Sequence, residues 1–354
     1  MATVTNLDQG IFQNYFRKAR LNIVVIAFLA IVCVVEIGLS ITVSGLNVSF
    51  SEVYNIIYNH ITGNVMDKAS DYIVVNLNLP RAIFAILTGF GLAVAGVAMQ
   101  NVMKNPLAEP YTTGISSGAC LGMAAAISLG FSMSYTIDNL AILILTFMMS
   151  MIPTSLVILL LPKRNTSPAT IILVGVSLSY LFNAMNTTLL LFTEAETLAG
   201  IYNWQIGSFA SIKWNSIAPV LIVTMIGTIS LWLMSRKLNI LSLGNEEAVS
   251  LGVDAESYRL AILIILSLMV SVIVAYAGII GFVGLVAPHI VRAFTGSDNR
   301  YLIPMSAFLG AAFVLFCDIV CRLINDTFLP AGVMISLIGA PFFIMAVVKS
   351  KNMW

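Results

Sequence analysis

Residues 81–102 read Arg81-Ala-Ile-Phe-Ala-Ile-Leu-Thr-Gly-Phe-Gly91-Leu-Ala-Val-Ala-Gly96-Val-Ala-Met-Gln100-Asn-Val102. No side chain between Arg81 and Gln100 is charged. As a helix this run crosses the hydrocarbon core of a bilayer, which takes roughly 20 apolar residues. Gly91 and Ala95, with Gly96, remove bulk from its surface, so a neighbouring helix can approach closely.

The same apolar signature recurs along the chain. Hydrophobic residues make up 59% of the sequence and charged residues 9%, and the mean hydropathy is +0.98. A soluble domain carries about 25% charged residues. This chain cannot wet its exterior and is read as an all-α integral membrane protein. Spans are expected near 21–43, 81–102, 114–132, 139–161, 169–192, 215–235, 259–281, 284–295, 300–325 and 331–349, about ten in all. The 284–295 segment is too short to cross alone and reads as a half-helix packed inside protein. Gly114, Gly118 and Gly122 form a second small-residue stripe, a packing signal.

The expected layout is a cytosolic tail over 1–20, a ten-helix membrane domain over 21–349 and a second cytosolic tail over 350–354. The polar first 20 residues end in Arg17, Lys18 and Arg20 with no small-residue cleavage site following, so the first apolar run is read as a retained span. With the N-terminus inside, 13 of the Lys and Arg residues fall in inner segments and 4 (Lys68, Arg81, Lys213 and Arg322) in outer ones. The positive-inside rule then places both termini in the cytosol of a multi-pass protein.

Three connections are longer than a turn. Outer loop 44–80 holds an expected interfacial helix around 53–61. Outer stretch 193–214 carries Trp204 and Trp214, rings suited to the headgroup level. Inner loop 236–258 contains Asn245-Glu246-Glu247-Ala248-Val-Ser-Leu251-Gly252. An Asn cap with acids in the first turn starts a helix there, and Gly252 stops it. A second short segment is expected over 255–258. An apolar-edged helix outside the membrane suits a partner groove, or lies on the protein's own inner surface.

The stretch Gly281-Phe-Val-Gly284-Leu-Val-Ala-Pro288-His289 interrupts an apolar region with two glycines and a proline. Breaks at membrane depth mark a pathway or a moving joint. His289 is read as a structural hydrogen-bonder. Intramembrane charge is scarce: Glu36 lies in the first span, and Asp318 and Arg322 share a helix face at i, i+4 and can pair.

Several chemistries are excluded. Net charge of +1 argues against a nucleic-acid partner. Cys33, Cys120, Cys317 and Cys321 lie in apolar runs without CxxC spacing and read as buried apolar residues. The two histidines, His60 and His289, are too few for metal chemistry, so no metal site is expected. No phosphate-binding loop, HExxH or Ser-His-Asp pattern occurs, so no catalytic residues are assigned and the chain is read as no enzyme. A proton wire would need ionisable groups along its route, and few are present. If the chain pumps, a partner supplies the energy.

An ordered set of motifs is more specific. It runs Asn78-Leu-Pro80-Arg81, Gln100-x4-Asn105-Pro-Leu107-Ala-Glu109-Pro110, Gly114-Ile-Ser116-Ser-Gly118-Ala119 and Leu251-Gly252. It continues with Gly281 through His289, Asp318-Ile-Val-Cys-Arg322, Leu329-Pro330-Ala-Gly332-Val333 and Leu337-Ile-Gly339-Ala-Pro341-Phe-Phe343. From about residue 76 onward the chain resembles the permease family of ABC importers for iron–siderophores, haem and vitamin B12. Before that it matches only in hydropathy.

The resemblance implies ten spans per subunit and two permease subunits, identical or related, around a central pathway. It also implies two cytosolic ATPase subunits that hold ATP and Mg, and an extracytoplasmic binding protein, in a prokaryotic plasma membrane. No cofactor is expected on this chain. Cargo ranks as ferric siderophore, then haem, then vitamin B12. Residue by residue, Arg81 and Arg322 match arginines that dock the binding protein. Asn105, Leu107, Thr166 and Ser167 match the cytoplasmic gate. Asn245, Glu246, Glu247, Ala248, Leu251 and Gly252 match the helix that couples to the ATPase. Gly281, Gly284 and Pro288 mark the helix break beside the pathway. Asn78 stands where relatives often have a further arginine, and Ala287 replaces a bulkier aliphatic residue. The rival readings are an ion-gradient-driven secondary transporter and a non-transporting membrane assembly protein.

Overall fold

Backbone N–H and C=O groups in a bilayer need internal partners, and helices supply them segment by segment. The computed structural model describes residues 2–43, 49–131, 136–160, 167–324 and 329–349, and among these it holds helices and no strands. In chain order they are α1 (Ala2–Thr42), α2 (Phe50–Thr62), α3 (Lys68–Asp71) and α4 (Leu79–Met103), then α5 (Ile115–Ser128), α6 (Thr136–Leu160), α7 (Pro168–Leu191) and α8 (Ala195–Gln205). They continue as α9 (Trp214–Leu233), α10 (Ser235–Leu243), α11 (Asn245–Ser250), α12 (Ala255–Ala277), α13 (Val283–Thr295), α14 (Asn299–Ile324) and α15 (Ala331–Lys349). Seven helical stretches are long and apolar enough to cross a membrane, and three shorter apolar helices (Ile115–Ser128, Val283–Thr295 and Ala331–Met345) accompany them. They fall on the ten expected segments, the short one at 284–295 included.

Helix α4 is the axis of the packing. In the most apolar window of Lys68–Met103, 83% of residues are buried, against 11% for Phe16–Thr42. Glycine allows this. A Cβ on Gly89 would collide with the Gly310 carbonyl of α14, and one on Gly96 with the Gly284 carbonyl of α13. On α5, side chains at Gly118 or Gly122 would strike the α6 backbone at Met149 or Leu145. Both stripes are therefore close-packing surfaces.

Some local expectations are corrected. Residues 68–78, read as loop, are helical: α3 passes through a π-helical run, Tyr72–Asn78, straight into α4. Asp67 starts it by accepting from the Ala69 N–H at 3.0 Å. Val74 and Val75 then bury against Ile41 and Val53, the second of these on the expected interfacial helix α2. Residues 255–258 are the first turn of α12, not a separate segment, because Asp254 caps it by accepting from the N–H groups of Glu256 and Ser257 at 3.2 and 3.3 Å. Gly244, rather than Asn245, holds the N-cap position of α11. Residues 2–20 are helical and continuous with the first span.

Candidate functional site

Three stations along α4 bring polar side chains of the bundle together. At its Leu79 end, Arg81 meets Asp318 of α14. The Arg81 Nη2 donates to Asp318 Oδ1 at 2.7 Å, and Nε lies 3.1 Å from both carboxylate oxygens. Arg322, one turn along α14, contacts the same carboxylate at 3.2 Å. Its Nη1 donates to the Ser40 and Val43 carbonyls at 2.7 and 3.0 Å, and its Nη2 to the Ser40 hydroxyl. Asp318 is fully buried, while Arg81 and Arg322 keep 19% and 13% of their side chains exposed. Two guanidiniums on one carboxylate leave one positive charge in excess. The sequence pattern pointed to the Asp318–Arg322 pair and missed the Arg81–Asp318 fork.

The second station is the break between α12 and α13. Gly278 ends α12 at φ 75°, and Phe282, a non-glycine residue at φ 66°, precedes α13. Such a φ is unfavourable for a bulky residue, so neighbours must hold it. Glu109 Oε1 accepts from the Phe282 N–H at 2.9 Å. The Tyr111 hydroxyl donates to the Ile280 carbonyl at 3.0 Å. Proline at 288 removes the N–H that would bond the Gly284 carbonyl. Gln100 Nε2 replaces it at 3.1 Å, and Gln100 Oε1 accepts from Arg292 Nη2 at 2.9 Å. Burial pushes the Glu109 carboxyl up to about 7, against the opposing hydrogen bond from Phe282. Gly281, Gly284 and Pro288 thus come together with Gln100, Glu109 and Tyr111. The sequence pattern showed a break near Gly281 but not what braces it, and Gly284 and Pro288, expected to mark the break, lie inside α13. A cavity of about 510 Å³ opens beside it, lined in part by Gln205, Ile279, Gly281, Gly332 and Ser336.

The third station lies at the Met103 end. Lys104 takes a left-handed φ of 46°. Asn105 then tightens the turn by accepting from the Leu107 N–H at 2.9 Å, and Leu107 is exposed. Ser167 caps α7, its hydroxyl accepting from the Thr170 N–H at 3.2 Å. Thr166 lies outside the described residues. Helix α11 stands nearby. Burial, then neighbouring Arg259, pulls the Lys104 ammonium down, while Glu247 pulls it up. Ala248 is buried, whereas Leu243, Val249 and Leu251 are exposed, and Glu246 and Glu247 occupy its first turn. Gly252 ends the helix at φ 73°, and the Val253 N–H closes back on the Ala248 carbonyl at 2.8 Å. The result is a short, firmly terminated helix that exposes two acids in its first turn and apolar Val249 and Leu251 at its end.

His289 is buried with its ring edge-on to Phe343. All four cysteines are buried and free. No group of His, Cys, Asp and Glu among the described residues is placed to hold a metal ion.

The model of the FecCD transport family matches residues 25–349. The chain is 30% identical to the hemin transport system permease protein of Yersinia pestis, over 92% of this chain and 96% of that one. It is 33% identical to the iron(3+)-hydroxamate import system permease protein of Bacillus subtilis, over 90% and 82%. It is 36% identical to the vitamin B12 import system permease protein of Vibrio parahaemolyticus, over 79% and 84%. The solved structure of a metal-chelate type ABC transporter in an inward-facing conformation matches with a TM-score of 0.80 at 29% identity, over 92% and 98%.

Proposed function

The chain belongs to the FecCD transport family, and from that membership we propose that it is the permease subunit of an ATP-binding-cassette importer that carries a large metal chelate into the cytosol. Relatives named for hemin, iron(3+)-hydroxamate and vitamin B12 support the cargo class. A ferric siderophore ranks first, then haem, then vitamin B12. Two ATPase subunits, a second permease subunit and an extracytoplasmic binding protein complete the assembly.

Helix α11 carries this reading. It presents Val249 and Leu251 to the outside in a chain without a phosphate-binding loop of its own. Apolar side chains on a terminated helix fit a groove on a partner, and here the partner is the ATPase. The α11 end then faces the cytosol. The Arg81–Arg322 end faces outward, where its excess positive charge suits acidic residues on the binding protein. The turn at Asn105–Leu107, with Ser167, forms the cytoplasmic gate next to α11. The break at Gly278–Phe282, with Gly284 and Pro288 in the first turns of α13 behind it, borders the pathway between two permease subunits.

Reconstitution with the ATPase and binding protein tests the proposal through Gly252→Val. The substitution puts a β-branched residue at a left-handed φ and should misplace α11. Uptake should fall while the ATPase still hydrolyses ATP. Undiminished uptake would remove α11 from the coupling path. A secondary transporter would instead accumulate cargo with no ATPase present.

A further inference from the structure

Displacement of α11 reaches the spans through whatever fastens it to them. Gly244 alone separates α11 from α10, and Asn239 of α10 makes a polar joint with α14. Its Nδ2 donates to Asp298 Oδ1 at 3.0 Å. Its Oδ1 accepts from the backbone N–H of Asn299 at 2.9 Å and from Asn299 Nδ2 at 2.7 Å. Asn299 is completely buried and carries the connection on to α4. Asn299 Nδ2 also donates to Asn101 Oδ1, and Asn101 Nδ2 returns a bond to Asn299 Oδ1, both at 3.0 Å. The other Asn101 proton goes to the Val97 carbonyl at 2.7 Å. Two forces fix Asp298 itself. Burial raises its carboxyl, but hydrogen bonds from Arg300 and Asn239 outweigh it and hold the group below its usual value.

Every side-chain amide proton of Asn101 and Asn299 is used. In a buried network of this kind a slip of one element breaks several directional bonds together. The apolar contacts of the same helix, Leu238 and Leu241, set no such register. From this joint α4 and α14 run side by side past the Gly89–Gly310 contact to the Arg81–Asp318 fork, about 30 Å away at 1.5 Å per residue.

We propose that Asn101, Asn239 and Asn299 form the joint through which movement of α11 is passed into the α4–α14 pair, and so to the opposite end of the bundle. They are positioning residues, touching neither ATP nor cargo. The inference rests on the reading of α11 as the ATPase contact.

The test uses the whole transporter in proteoliposomes and needs no knowledge of the cargo. Stimulation of ATP hydrolysis by the added binding protein reports communication between the two ends. Asn239→Ala and Asn101→Ala cut the joint on either side of Asn299, so either variant suffices if the other folds poorly. Each should retain the ATPase subunit and its unstimulated hydrolysis, with stimulation reduced severalfold to about tenfold. Full stimulation in either variant that folds would overturn the proposal. So would a proportional loss of unstimulated and stimulated hydrolysis, the mark of a merely structural contact. A wild-type chain that retains no ATPase subunit would overturn the reading of α11 instead.

Discussion

The two ends of the α4–α14 pair are fastened by different chemistry. At one end Asp318 holds two arginines and leaves a net charge. At the other, asparagines exchange hydrogen bonds, and the one carboxylate they reach, Asp298, is paired with Arg300, so no net charge is left. A charged cluster projects a field beyond its contacts and can recruit a partner. A neutral amide network fixes only what it touches. The contrast fits a bundle that greets a partner electrostatically on one side and transmits position on the other.

Removing the carboxylate should have the largest effect. Asp318→Ala leaves two largely buried guanidiniums without their anion, and breaking such a pair costs about 3–5 kcal/mol. Thermal unfolding in detergent should show a large loss of stability or no folded protein. Asn299→Ala breaks the neutral end. It leaves Asn101 Oδ1 without its partner, while Asn239 keeps Asp298 and the backbone N–H of residue 299; the cost is about 1–3 kcal/mol, so the same assay should rank it below Asp318→Ala. Equal losses would erase the distinction between the ends.

Salt should act on the two ends unequally. The screening length falls from about 10 Å at 0.1 M to about 3 Å at 1 M. Binding-protein association should slow severalfold over that range, and Arg81→Gln should flatten the dependence. Retention of the ATPase through the exposed apolar side chains Val249 and Leu251 at the end of α11 should change less. Co-purification at both salt concentrations checks this.

The smallest effect concerns Glu109, which lies between the ends. Its folded value, about 7, lies above the unfolded carboxylate value of about 4.3. The stabilisation from its neutral form is therefore complete below the unfolded value and is lost as pH rises through about 7. The wild type should lose thermal stability relative to Glu109→Gln across that interval. Parallel pH profiles would show that Glu109 does not titrate there.

The spans are legible in the sequence because each is a local run of apolar residues. Gly252 is legible too, and so is an interruption near Gly281, since glycine and proline act on their own backbone; the break itself falls at Gly278–Phe282, and Gly284 and Pro288 lie inside α13. The braces are not. Arg81 and Asp318 are 237 positions apart, and Asn101 and Asn299 are 198 apart. Such partners meet only once the helices pack, and an amide in an apolar run names no partner. The helix through Tyr72–Asn78 escapes for a related reason. Polar Asp67, Lys68 and Asp71 resemble loop until Val74 and Val75 find the apolar face made by Ile41 and Val53.

On this reading the chain conducts cargo only when a separate ATPase drives it. The most direct measurement is uptake of a radiolabelled ferric hydroxamate, hemin and vitamin B12 into proteoliposomes holding the chain, its ATPase and its binding protein. Uptake of one of these that requires both ATP and the ATPase subunit is the expected result. Uptake by the chain alone, driven by an ion gradient, would contradict it.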